Sequence, residues 1–188
     1  MIHIITPCSR PENLIFLKDS IPEKCNWIVV YDKLAKPTSE IEGATILYSP
    51  YTGSAGNPNR NYALDTIEFS DTDWIYILDD DNIIHPEWYD KVKDFTADHL
   101  NMIAWGQVWK NNSVRLAPSN NPNVGNIDTS CYMVRGKVMK TLRYDMLYEA
   151  DGIMARQAYE QGGFMMLDQY LGYYNYLRTP TDWDLPPC

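Results

Sequence analysis

The densest chemistry in the chain is the run Asp79-Asp80-Asp81, which follows directly on an apolar stretch at 74–78. In an extended segment side chains alternate faces, so Asp79 and Asp81 are expected to share a side while Asp80 points away. Adjacent carboxylates repel one another, and a hard divalent cation relieves the repulsion. Magnesium or manganese suits the donors, since each takes oxygen ligands, keeps several waters and bridges one or two carboxylates to substrate phosphates. Capping the helix that begins near Pro86 would need one carboxylate, not three. A calcium loop starting at Asp79 fails, because Ile84 stands where glycine is needed and Asp90 where glutamate is needed. A phosphatase using Asp79 as nucleophile stays open as an alternative, although Asn82-Ile83 departs from that pattern. No glycine-rich phosphate loop of either common kind occurs.

These residues need a scaffold, and the apolar runs supply one. Runs at 2–6, 27–31, 45–48 and 74–78 are short and rich in β-branched or aromatic residues, as buried strands are. Between them, helices are expected at 11–21, opened by Pro11, and at 59–67, opened by Asn57-Pro58; a third follows at 86–95. Strands alternating with helices predict an α/β fold with an open, mainly parallel sheet flanked by helices, whose ligands bind at the carboxyl ends of the strands. The second half is less regular. Strands are expected at 102–109 and 127–134, a long loop at 111–126, a helix at 151–161 ended by Gly162-Gly163, and a proline-containing end at 179–188.

Composition narrows the partners. With 188 residues, 45% of them hydrophobic, the chain predicts one domain, 1–188. A formal net charge of −9 without a basic cluster argues against nucleic acid or an anionic membrane as partner. An anionic small molecule would need local compensation by arginine or a divalent cation. Four cysteines without a C-x-x-C pair make a zinc site improbable and point to a reducing compartment. With no basic leader and no apolar span long enough for a membrane, cytoplasmic is the expected location. Trp105 and Trp109, four apart in an expected strand, share a face and could stack on a sugar or pack in the core.

Several segments, taken in order, resemble the GT-A glycosyltransferases, especially the inverting family-2-like enzymes and, near the N-terminus, the β-1,3-glucuronyltransferases. Ile4-Ile5-Thr6-Pro7-Cys8-Ser9-Arg10-Pro11 is similar to the first strand and its nucleotide-contacting loop, and Val29-Val30-Tyr31-Asp32 to the second strand with its base- or ribose-contacting aspartate. Gly56-Asn57-Pro58-Asn59-Arg60-Asn61-Tyr62-Ala63-Leu64 resembles the family's Arg-Asn-x-Ala-Leu helix, and Asp79-Asp80-Asp81 its Asp-x-Asp motif. The resemblance implies a GT-A, Rossmann-like fold, with about 1–100 as the half that binds a nucleotide-diphosphate sugar, uridine-based, and about 101–188 as the acceptor and catalytic half. Thr6, Pro7, Arg10, Asp32, Arg60, Asn61, Asp79 and Asp80 would then contact the nucleotide sugar, and Asp81 with Asp79 would hold Mn2+ or Mg2+. Glu149-Ala150-Asp151 through Arg156 resembles the motif that supplies the general base. Ala150 separates acids that adjoin in the family; Asp151 is preferred over Glu149 for its spacing to Arg156. Asp128 and Thr129, with Trp105 and Trp109, would face the donor or acceptor sugar. The expected reaction is glycosyl transfer to an acceptor hydroxyl with inversion. A non-catalytic sugar-binding module is the remaining alternative.

Overall fold

The apolar runs of the first half pair side by side in the computed structural model, which describes residues 1–37, 41–95 and 99–178. The proline-containing end at 179–188 lies outside these. β1 (Ile2–Cys8) pairs in parallel with both β2 (Asn26–Tyr31) and β4 (Trp74–Ile77), and β2 pairs in parallel with β3 (Ala44–Tyr48). β5 (Ile83–Ile84), β6 (Met102–Trp109), β7 (Val114–Leu116), β8 (Tyr132–Arg135) and β9 (Phe164–Tyr174) complete one sheet in the order β3-β2-β1-β4-β8-β6-β9-β5, with β7 on β6. The long ladders are parallel, β6 with β9 included; the antiparallel ones, such as β4 with β8, are only two or three residue pairs each. The sheet is thus mainly parallel, as expected, and it is curled.

Each face of the sheet is sealed by helices. Trp74 and Tyr76 of β4 join Ile4, Trp27 and Val29 in one core, closed by α1 (Leu14–Lys18) and α3 (Trp88–Val92). Ile75 and Ile77 point the other way, into a core closed by α2 (Asn57–Thr66), α4 (Gly136–Met139) and α5 (Ala150–Glu160). This alternation explains why the run at 74–78 is apolar without a break: both of its faces are covered. Each fully buried Ile or Val contributes about 1.5–3 kcal/mol.

Some expected elements differ. The helix at 11–21 is a 3-10 turn, Pro11–Asn13, followed by the short α1. The loop at 111–126 contains β7. The strand at 127–134 is a strand only from Tyr132, because Asp128 accepts a hydrogen bond from the Ser130 amide and turns Thr129–Cys131 into a 3-10 turn. Such a local side-chain bond competes with the sheet ladder.

Candidate active site

The carboxyl ends of β1, β2 and β4, the amino ends of α2 and α5, and the chain after β9 surround one cleft of about 390 Å³. This is the edge at which an open α/β sheet binds ligands. Gly56 helps to build it: its left-handed φ of +79° starts α2 with the backbone close to Pro7, where an added Cβ would lie 3.4 Å from the proline side chain. Pro7 itself lines the cleft.

The aspartate run leaves β4 as a turn, not as a continued strand, so strand alternation does not govern it. Asp80 does not point away, contrary to expectation. Its carboxylate accepts hydrogen bonds from the Ser9 amide at 2.7 Å and the Arg10 amide at 2.8 Å, and the Arg10 guanidinium forks onto it through Nε at 2.9 Å and through Nη2. The same Nη2 reaches Asp81 at 2.9 Å. Arg60 Nη2 donates to Asp79 at 2.6 Å, and its Nη1 donates to Asn57 Oδ1 at 2.5 Å. Burial raises the pKa of Asp81, and Asp80 and Asp79 add to it while Arg10 and Arg178 oppose the rise. Burial alone would lower the pKa of Arg10 and of Arg60, but their carboxylate partners outweigh it and hold both cations firmly charged.

At the far end of this wall, Asp32 accepts from the Leu34 amide at 2.9 Å and from Asn59 Nδ2 at 3.0 Å. A carboxylate can only accept here, so the Asn59 amide is oriented by its partner. Asn59 Oδ1 and Arg60 Nε are buried without a hydrogen-bond partner. Both belong to residues that line the cleft.

The same cleft is lined by Asp128, Thr129, Glu149 and Asp151, near enough to Arg60 and Asp79 for these charges to act on Asp128 and Asp151. Asp151 lies in the first turn of α5 and accepts from the Gly152 amide at 2.7 Å; Glu149 is the residue before the helix and makes no side-chain cap. Burial raises the Asp151 carboxyl to about 6, with the charge of Asp128 the next contribution. Arg115 lies beside this group: it donates to Gln107 at 2.7 Å, reaches Asp128 at 3.3 Å and lies 3.5 Å over the ring of Tyr174.

No family model and no curated protein matches the sequence. Among solved structures, S. aureus TarS 1-349 is similar with a TM-score of 0.69 at 15% identity, over 92% of this chain and 59% of that one. Its fold is nucleotide-diphospho-sugar transferase-like. The bifunctional IspDF from Campylobacter jejuni is similar at a TM-score of 0.53 and 11% identity, over 87% of this chain and 49% of that one. TarS is a GT-A glycosyltransferase, and this chain spans well under two thirds of the TarS fragment.

Within this fold, four expected site residues are placed elsewhere. Thr6 is fully buried in β1, where its hydroxyl accepts from Trp27 Nε1 at 3.0 Å. Asn61 does not line the cleft; it exchanges hydrogen bonds with the backbone of Tyr144, at 2.8 Å in both directions. Trp105 is a core residue stacked edge-on against Tyr76 and Trp88. Trp109 packs edge-on against Tyr174, behind the cleft wall. In their place the cleft gains Arg115, Arg178, Asn59, Tyr148 and Tyr174. Of these, only Asn59 lay inside a segment whose pattern marks a site.

Among the described residues, no three His, Cys, Asp or Glu side chains converge as a metal cage. A magnesium-like ion that borrows phosphate oxygens and keeps its waters needs only one or two carboxylates. Asp81, buried and incompletely compensated by Arg10, together with Asp79 offers that kind of hard oxygen donor set, so the residues fit such an ion. No helix among the described residues is long and apolar enough to cross a membrane.

Proposed function

We propose that this chain is a glycosyltransferase module that moves a sugar from a nucleotide-diphosphate sugar, uridine-based, to an acceptor hydroxyl with inversion. The observation that carries the proposal is the cleft's division of labour. It presents three aspartates laced to Arg10 and Arg60, with Arg178 beside Asp81, and separately Asp151, a carboxylate that burial raises to about 6 and that feels the charges of Arg60 and Asp79. An acidic protein that binds a diphosphate needs such local cations.

Asp32 and Asn59 receive the nucleoside, where two oxygen acceptors suit base N–H or ribose hydroxyl donors. Arg10 and Arg60 orient the diphosphate, and Arg178 adds positive charge near Asp81. The chemistry that a divalent cation held by Asp81 and Asp79 supplies is neutralisation of charge on the departing diphosphate. Asp151 accepts the acceptor's hydroxyl proton as that oxygen bonds to the anomeric carbon; the bond to the diphosphate oxygen breaks and its electron pair leaves with the diphosphate. A phosphatase would instead use Asp79 as nucleophile, and the Asn82-Ile83 that follows the aspartates departs from that pattern.

Calorimetry with uridine diphosphate, with and without manganese, tests the donor half. Asp81→Ala is expected to abolish the manganese-dependent part of the affinity. A panel of nucleotide sugars then tests transfer; release of pyrophosphate from a nucleoside triphosphate would move the assignment to nucleotidyl transfer.

A further inference from the structure

The segment just before α5 puts large apolar side chains in water at the mouth of the cleft. Tyr148 is 69% exposed, Leu147 54% and Met146 51%, and Val124 at 47% lies on the facing loop. Tyr148 and Val124 both line the cleft, and Asp151 follows Tyr148 by a single turn of chain. Exposed apolar side chains scattered singly need no explanation, but a contiguous group at a site does.

This group is held in place. Asn57, fully buried, donates through Nδ2 to the carbonyls of Asp145 at 3.0 Å and Leu147 at 2.8 Å. Asn61 fastens Tyr144 on both sides of its peptide. From the other side, Val124 presses on Gly152 so closely that an added Cβ would lie 2.5 Å from the Val124 Cα. Four hydrogen bonds with α2, and the buried ring of Tyr144, therefore fix a loop whose next apolar side chains, Met146, Leu147 and Tyr148, are left exposed. Burial above all raises the pKa of Tyr174, and Tyr148 is near enough to add to it.

We propose that Tyr148 is the stacking platform for an uncharged pyranoside acceptor, a role that rests on the glycosyl-transfer reading. The C–H face of a pyranose ring suits an exposed phenol, and stacking there presents a ring hydroxyl toward Asp151. Charge selects against anionic saccharides: Glu149, Asp151 and Asp128 surround this end, and Arg115 is already engaged by Asp128 and Gln107.

The test is saturation-transfer NMR on the full chain with manganese and uridine diphosphate, using methyl glucoside, methyl N-acetylglucosaminide and methyl glucuronide as probes. Signal is expected on ring C–H protons of at least one neutral glycoside and not on the glucuronide. Tyr148→Ala should weaken that signal about tenfold and Tyr148→Phe should retain it, the scale of one aromatic stacking contact. Equal signal in Tyr148→Ala, stronger binding of the glucuronide, or no saccharide signal in the unaltered protein would each overturn the platform. Uridine diphosphate affinity, measured in parallel, reads the donor half separately. If it is absent while glycosides still depend on Tyr148, the donor reading falls and the platform stands.

Discussion

Asp151 is the residue for which activity and stability should respond to pH in opposite directions. Burial, then the charge of Asp128 and last that of Asp79, raise its carboxyl to about 6, while the Gly152 amide and Arg60 pull it back. A base must be deprotonated, so transfer is expected to rise with pH through about 6 and level off above, which a pH profile of kcat/KM measures. Asp151→Asn should lose that limb and about 10²–10⁴-fold in kcat while still binding uridine diphosphate in calorimetry. For stability, the folded state holds this proton more tightly than the unfolded chain. The contribution is full below the unfolded value near ~4 and is lost as pH rises through about 6. Asp151→Asn, neutral throughout, is therefore expected to melt higher than the wild type at pH 8 in scanning calorimetry, which separates lost chemistry from misfolding. The run of three aspartates could be read from sequence because three adjacent carboxylates end the most apolar run, whereas Arg10 and Arg60 were marked only by the motifs they sit in. Arg115, Arg178 and Tyr148 could not, since nothing local distinguishes a cleft arginine or tyrosine from a solvated one. Thr6 and Asn61 were misplaced because a motif gives positions without saying which way a side chain turns.

Elements decide which aromatic residues do chemistry and which hold the fold. Trp105 lies in β6 with its indole donating to the Ser130 carbonyl at 3.1 Å and its ring edge-on to Tyr76 and Trp88. Trp105→Ala should cost about 3–5 kcal/mol of stability, read by urea denaturation, with no change in preference among acceptors. The period-2 pattern expected Trp105 and Trp109 on one face, able to stack on a sugar or to pack in the core; the register shifts of the β6–β9 ladder put their extra residues on β9, and Trp105 is committed to the core beside Tyr76 and Trp88. At α5, Gly152 is the contact that lets the facing loop close on the helix. Gly152→Ala places a Cβ 2.5 Å from the Val124 Cα. Overpacking of this kind costs about 1–3 kcal/mol, and at 2–4 °C per kcal/mol for a chain of this size the melting temperature should fall by about 2–12 °C. The strands of the first half were legible because both their faces are buried and their runs are unbroken. β5 and β7 were not, because Ile83–Ile84 and Val114–Leu116 are too short to show a period, and β9 was not, because its Asp168 and Gln169 interrupt the apolar run.

At the scale of the molecule, the boundary near residue 100 that divides donor half from acceptor half is not a boundary in the sheet. β8, from the second half, lies between β4 and β6, so the strand that delivers the aspartates is completed only by the later chain. All four residues of β4 are buried. A fragment of residues 1–100 would present that strand as a bare apolar edge, a template for aggregation. It is therefore expected to be insoluble or unfolded by circular dichroism, whereas the whole chain unfolds in one step with coincident circular dichroism and tryptophan fluorescence. The cleft draws on both halves in the same way, lined by Asp79 from the first and Asp151 from the second. A ligand there must stabilise the single cooperative unit. At a hundredfold excess over Kd, uridine diphosphate with manganese adds about 2.7 kcal/mol, a rise of about 5–11 °C in Tm. The whole transition should move together. Two resolved transitions, with only one shifted by the nucleotide, would mean that the halves fold separately and that the site is built by docking rather than by a shared sheet.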